Sequence, residues 1–149
     1  MKYSLLALIV LLASSFKKPV TNGDTIIGKW MAVEDKNIIV QVFKTDEEYK
    51  AVITCFDDTD DKTRPMAIRC DTKNPDKTLR TKKIIGLEVL RGLSYNDKED
   101  EWQDGHIYDP SSGKEYNAKA WLTDDGNLKV RGYWHFECLG KNMSFSRTR

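Results

Sequence analysis

The sequence predicts an all-β fold, an antiparallel up-and-down barrel of about eight strands. Three observations carry this expectation. Apolar and polar residues alternate with a period of two in one short segment after another. Short clusters of Asp, Glu, Gly, Asn and Ser separate most of these segments, as in hairpins. A sheet with this many antiparallel strands must also hide its edges, and closure removes them outright. A two-sheet sandwich is the alternative.

The segments run in order along the chain. Residues 26–33 form the first and 37–44 (NIIVQVFK), rich in β-branched residues, the second. In 48–56, Tyr49, Ala51, Ile53 and Cys55 share one face, and in 83–92 so do Ile85, Leu87 and Val89. The segment 101–108 alternates less clearly, around Trp102 and Ile107. Segment 115–123 aligns Tyr116, Ala118, Ala120 and Leu122, and 127–134 aligns Leu128, Val130, Gly132 and Trp134. Residues 142–148, with Met143 and Phe145, close the series. One connection, 57–82, is far longer than a hairpin loop, which suggests a lid, a binding loop or a disordered segment. Within it, Asn74-Pro75-Asp76 reads as a helix start continuing through Leu79 and Arg80. Asn74 would cap, and Pro75 has no N–H to lose at the first helical position.

The chain has 149 residues, 40% hydrophobic and 32% charged, a composition suited to one globular domain. Its formal charge is +1, from 24 basic and 23 acidic side chains. That balance argues against a nucleic-acid footprint and against electrostatic docking to an anionic membrane. The first 15 residues read as a signal peptide: Lys2, an apolar run, then Ala13-Ser14-Ser15 with the cut after Ser15. The run is too short to span a bilayer. Residues 16–25 then read as a linker and 26–149 as the barrel domain. The expected location is periplasmic or extracellular. There, Cys55 and Cys70, which bracket one loop, are the preferred disulfide; other pairings with Cys138, or free thiols, remain open.

Catalytic and metal motifs are absent. His106 and His135 fit no zinc pattern, and no nucleophile elbow or phosphate loop occurs. Asp57, Asp58, Asp60 and Asp61 lack the glycine and distal glutamate of a calcium loop and read as a solvated acidic stretch. Asp71, Asn74 and Asp76 are a second oxygen cluster that capping already explains. The carboxylate pairs Glu88 with Glu115 and Asp104 with Asp109 could serve glycoside hydrolysis only at a separation sequence does not give. No cofactor is expected. The small residues Ala51, Ala118, Ala120 and Gly132 share a face with Tyr49, Tyr116 and Trp134. If that face points inward, the small side chains leave space and the three aromatics line a ligand pocket. A barrel packed solid is the alternative.

IGKW at 27–30, NPDKTLR at 74–80, IIGLEVL at 84–90, GHIYDPSSGKEY at 105–116, LKVRGY at 128–133 and LGK at 139–141 together resemble the bacterial domain-of-unknown-function family 2147. The resemblance implies an exported lipocalin-like barrel without a settled activity. Phe145 stands where that family often has Trp, and His135-Phe136-Glu137-Cys138 departs from its usual small and aliphatic residues. More broadly, Gly28-Lys29-Trp30 and Arg147 resemble the first-strand Gly-x-Trp and last-strand Arg of the calycins, which include lipocalins and fatty-acid-binding proteins. First and last strands pair in a closed barrel, so Arg147 is expected over Trp30, sealing one end.

The function expected is non-covalent binding of a small, partly apolar or amphipathic molecule, such as a lipid or acyl chain. No nucleic-acid partner and no stable membrane insertion are expected. An envelope interaction or stress protein with a solid core, working through exposed faces that include Trp121, is the alternative. A hydrolase using Asp109 and His106 is a third reading.

Overall fold

The computed structural model describes residues 22–34 and 38–149. The expected signal peptide and most of the expected linker lie outside the described residues. Eight antiparallel strands form a closed barrel in simple sequence order, with β1 also pairing β8. They are β1 (Gly28–Ala32), β2 (Ile38–Thr45), β3 (Glu48–Phe56), β4 (Glu88–Asn96), β5 (Glu101–Asp109), β6 (Lys114–Leu122), β7 (Leu128–Tyr133) and β8 (Lys141–Thr148). Successive strands run in opposite directions, so the connections sort to two ends. The start of β1 and the β2–β3, β4–β5 and β6–β7 turns share one end. The long β3–β4 connection, the β5–β6 turn and the β7–β8 loop share the other.

The first end is closed. Residues Gly23–Ile26, expected as linker and strand start, instead form a 3-10 turn in which Gly23 and Ile26 are buried. The turn is held because its carbonyls find donors inside the barrel. The Trp102 indole donates to Gly23 O at 3.0 Å and the Trp30 indole to Ile26 O at 2.8 Å. Arg147 donates to Ile27 O at 3.0 Å and also to Thr25 O. Its guanidinium lies 4.3 Å from the Trp30 ring centroid, opposite Trp30 in the β1–β8 register. Gly28, at φ 140°, leaves the necessary room, because a Cβ there would come within 2.6 Å of the Arg147 guanidinium. Trp30 and Trp102 are fully buried, and Tyr95 and Tyr49 pack on Trp102.

Two departures from strict alternation reshape the interior. In β4 the buried residues are Leu90 and Leu93, and in the facing β5 they are Trp102 and Gly105, three positions apart in each strand. Gly92 at φ 71° and Asp104 at φ 62° produce these offsets, which match and so keep the β4–β5 register. In β3 the register shifts between Ile53 and Cys55. Cys55 then sits opposite Ile39, and Phe56 shares the face of Ile38, which lines the barrel cavity. The expected inward face therefore ends at Ile53. Strand β4 also begins later than expected, since Lys83 pairs with Cys70 and Gly86 N donates to Ile53 O at 2.7 Å.

The long connection folds as a strap. The expected helix start is displaced: the 3-10 turn is Lys77–Leu79, and its cap is Asp76, which accepts from Thr78 N at 2.9 Å. Asn74 instead accepts from Asp76 N at 2.9 Å, and its carbonyl accepts from the Arg80 guanidinium at 2.7 Å. An Asx turn at Asn74-Pro75-Asp76 takes the place of the cap. The Asn74 amide donates to Asp71 at 2.7 Å, and Tyr108 on β5 donates to the same carboxylate at 2.9 Å. Asp71 is fully buried, so this bond pins the strap to the barrel. The expected Cys55–Cys70 disulfide is not formed; Cys55 and Cys70 are half-buried free thiols and Cys138 is an exposed one. The register shift that sends Cys55 off the inward face accompanies this.

Replacing Trp30 with Ala should cost about 3–5 kcal/mol, and Arg147 with Met about 0.5–2 kcal/mol, in urea unfolding. Burial and donation to Asp71 push the Tyr108 phenol up to about 12. The neutral phenol is the folded form, so its contribution is whole below the ordinary tyrosine pKa of about 10 and is lost as the pH climbs toward the raised value. Tyr108→Phe should destabilise by about 1–3 kcal/mol by leaving buried Asp71 one donor short. It should also delete a late phenol ionisation from a spectrophotometric alkaline titration.

Candidate functional site

The end opposite the clamp holds a cavity of about 540 Å³ opening between the strand ends. Its wall is mainly aliphatic, from Ile38, Val40, Ile53, Val89, Ile107 and Met143, with Phe145 at depth. The space exists because bulk is unevenly distributed along the barrel axis. Trp30 and Trp102 fill the closed end, whereas Gly132 lines the wall nearer the opening. Ala51 and Ala118 are fully buried around the middle, and Ala120 is fully buried opposite Trp102 nearer the closed end. The size lies within the range of small-molecule pockets.

Polar groups gather at the mouth. Tyr116, Tyr133, Trp134 and Lys141 line it, and Tyr116 and Trp134 meet edge to face with centroids 5.7 Å apart. Among the described residues, no hydrogen bond or ion pair engages the Tyr116 and Tyr133 hydroxyls, the Trp134 indole N–H or the Lys141 ammonium. Tyr108, Asp109 and Ser111 complete the rim. Burial pushes the Asp109 carboxyl up, but hydrogen bonds from Ser111 and Ser112 outweigh it and hold the group below its ordinary value. Asp109 is therefore occupied in shaping its own turn.

The sequence singled out three aromatics for this pocket, and the structure brings two of them, Tyr116 and Trp134, to it. Tyr49 faces inward but lies at the closed end. Its hydroxyl donates to Asp24 at 2.6 Å, and its ring packs edge-on against Trp102. That bond, together with Lys44, holds the Asp24 carboxyl below its ordinary value, and burial with the same bond raises the Tyr49 phenol. Alternation reports the face of a strand and not the depth: Tyr49 is near the closed-end start of β3, and Tyr116 near the open-end start of β6. Tyr133, Lys141 and Ile38 were not singled out; each stands at the open end of a strand, a position that becomes readable once strand direction is known.

A second depression, about 750 Å³, runs outside the barrel between the strap and β4–β6. Its charged groups are largely paired: Arg91 with Glu115 at 2.6 Å and Lys50 with Glu88 at 3.8 Å. Glu88 and Glu115, one of the two carboxylate pairs considered for hydrolysis, are thus engaged by cations. His106 is exposed and faces Arg91 and Asn117 across the sheet, while Asp109 is turned to its serines. In the strap, Asp57, Asp58, Asp60 and Asp61 accept from Thr59, Met66, Arg69 and Arg64. Among the described residues no His, Cys, Asp and Glu group is arranged to hold a metal ion. Trp121, considered for an exposed interaction face, is half-buried beneath Lys119.

Among solved structures, the chain is similar to protein HP1028 from the human pathogen Helicobacter pylori, described as belonging to the lipocalin family. The TM-score is 0.69 at 20% identity, over 83% of this chain and 82% of that one. This likeness shows a shared lipocalin-like barrel. No curated protein matches the sequence. The profile of a family described as "Uncharacterized protein conserved in bacteria (DUF2147)" matches residues 28–147, from the glycine beside Arg147 to Arg147 itself. With its clamp residues marking both limits of that match, the chain belongs to the DUF2147 family.

Proposed function

We propose that the protein binds a small, partly apolar molecule, a lipid or acyl chain, non-covalently in the barrel cavity, and that it works in the periplasm or outside the cell. The observation that carries this reading is an aliphatic cavity at whose mouth Tyr116, Tyr133, Trp134 and Lys141 present polar groups that no described residue engages by a hydrogen bond or ion pair. An apolar chain entering it leaves water, worth about 0.8 kcal/mol for each buried methylene. A polar head would remain at the mouth, within reach of the Tyr116 and Tyr133 hydroxyls, the Trp134 indole and Lys141. The lipocalin-like barrel of the solved relative supports small-ligand binding as a class. The short basic and apolar start of the sequence supports the location.

Native mass spectrometry of the protein purified from its own host should reveal a retained small molecule. Met143→Trp, which fills the cavity from a half-buried wall position, should weaken binding of an apolar fluorescent probe about tenfold or more while leaving the fold intact. A chain that retains nothing, and whose probe signal is unchanged by Met143→Trp, would sink this reading.

A further inference from the structure

Among the described residues, the large apolar side chains left exposed are unevenly placed. Val33, Ile68, Trp134, Phe136 and Leu139 all stand on open-end connections; Ile27 is the exception at the closed end. The most exposed three share the β7–β8 loop: Trp134 at 58%, Phe136 at 67% and Leu139 at 79%. Trp134 and Leu139 also line the cavity mouth, so the exposed patch is continuous with the cavity wall.

This display is built into the fold. The Arg131 guanidinium donates to Glu137 O at 2.7 Å, to Cys138 O at 3.2 Å and to Asn142 Oδ1 at 2.6 Å. Lys119 forms an ion pair with Glu137. The loop is therefore fastened at its base while its apolar side chains point to water, an arrangement that marks an interaction surface.

The charges say what kind of surface fits it. The near-zero net charge conceals a separation between the two ends. The closed-end turns carry Asp46 and Glu47, Asp97, Glu99 and Asp100, and Asp124 and Asp125, against Lys98 alone. At the open end, Lys114 and Lys141 begin strands, Lys73 packs against the β5–β6 turn, and Lys83 reaches Ile68 O. All four of these lysines are exposed. Acidic side chains share this end: Glu137 pairs with Lys119, Asp109 is turned to its serines, Asp60 and Asp61 pair with Arg69 and Arg64 in the strap, and Glu34 is exposed. The open end is therefore close to neutral where the closed-end turns are acidic. Near a negative plane, such a molecule turns its acidic end away and its open end inward.

We infer that the open end docks reversibly on a phospholipid bilayer bearing anionic headgroups, with Trp134, Phe136 and Leu139 entering the boundary between headgroups and acyl chains. Protruding aromatic and aliphatic residues beside lysines suit that boundary. The cavity mouth would then open directly onto the lipid phase, so a poorly soluble molecule need not cross water. The expectation drawn from net charge, against membrane docking, is revised because docking depends on the charge of the face presented. The inference deepens the proposed function by placing the exchange of its ligand, and rests on it to that extent.

Sedimentation of the full chain with phosphatidylglycerol-containing vesicles tests it, with tryptophan emission as a second readout. Trp30 and Trp102 are fully buried and Trp121 is half-buried beneath Lys119, so a blue shift on vesicle addition that persists in Trp121→Phe reports on Trp134. The native chain should co-sediment and shift to the blue, and replacing the anionic lipid with phosphatidylcholine should weaken association. Phe136→Ser combined with Leu139→Ser should reduce association about tenfold or more, with near-ultraviolet circular dichroism unchanged, and Phe136→Trp should retain it. A native chain that ignores the vesicles, as a surface made for a protein partner would, overturns the inference. So does a double variant that binds them as well as the native chain. Probe binding measured without vesicles separates the two proposals: vesicle association without probe binding leaves docking standing and removes the cavity ligand.

Discussion

The barrel depends on a clamp at its closed end. A short turn from Gly23 to Ile27 offers carbonyls to the interior, and two indoles and one guanidinium take them. Those donors come from β1, β5 and β8, so the turn ties the first and last strands to the far wall. A buried carbonyl without a partner costs about as much as a hydrogen bond returns, which makes turn and strands interdependent. With bulk concentrated there, the opposite end can stay open without loss of the barrel.

That division of labour gives the cavity its character. Its wall is aliphatic because the strands turn apolar residues toward the interior, through strict alternation or through the matched offsets of β4 and β5, and its polar groups lie at the mouth because strand ends meet water there. The strap bonded through Asp71 to Tyr108 braces one side of the mouth, while the loop anchored by Arg131 flanks another. Tyr108 belongs to both the cavity wall and the cleft beneath the strap. The cavity mouth is thus held by contacts from two directions, and among the described residues the mouth-lining Tyr116 hydroxyl and Lys141 ammonium are spared from hydrogen bonding.

Much of the fold was legible because its signals are local. Alternation and turn residues mark the strands, and Gly28, Trp30 and Arg147 identify the strands that close the barrel. What escaped depends on longer-range geometry. Trp102 completes the clamp, but the positive φ at Asp104 breaks the alternation that would have marked it as inward. Cys55 lost its expected face to a one-residue register shift. Tyr49 faces the interior as its alternation indicates, yet lies at the wrong depth for the pocket, since depth follows from the end at which a strand enters. The Asn74 cap was displaced because the Asn74 side chain bonds to Asp71, a partner that exists only once the strap has folded over Tyr108.

The pairing of β1 with β8 also constrains how the protein acquires its structure. Arg147 and Ile27, bonded in the finished clamp, are 120 positions apart in the chain. Hairpins between neighbouring strands can form early from nearby residues, but the last seam requires bringing distant ends together. Until then, β1 and β7 or β8 present unpaired edges able to recruit other chains. The assembly pathway therefore has its most vulnerable species just before completion, and a chain ending before β8 would keep that exposed seam permanently.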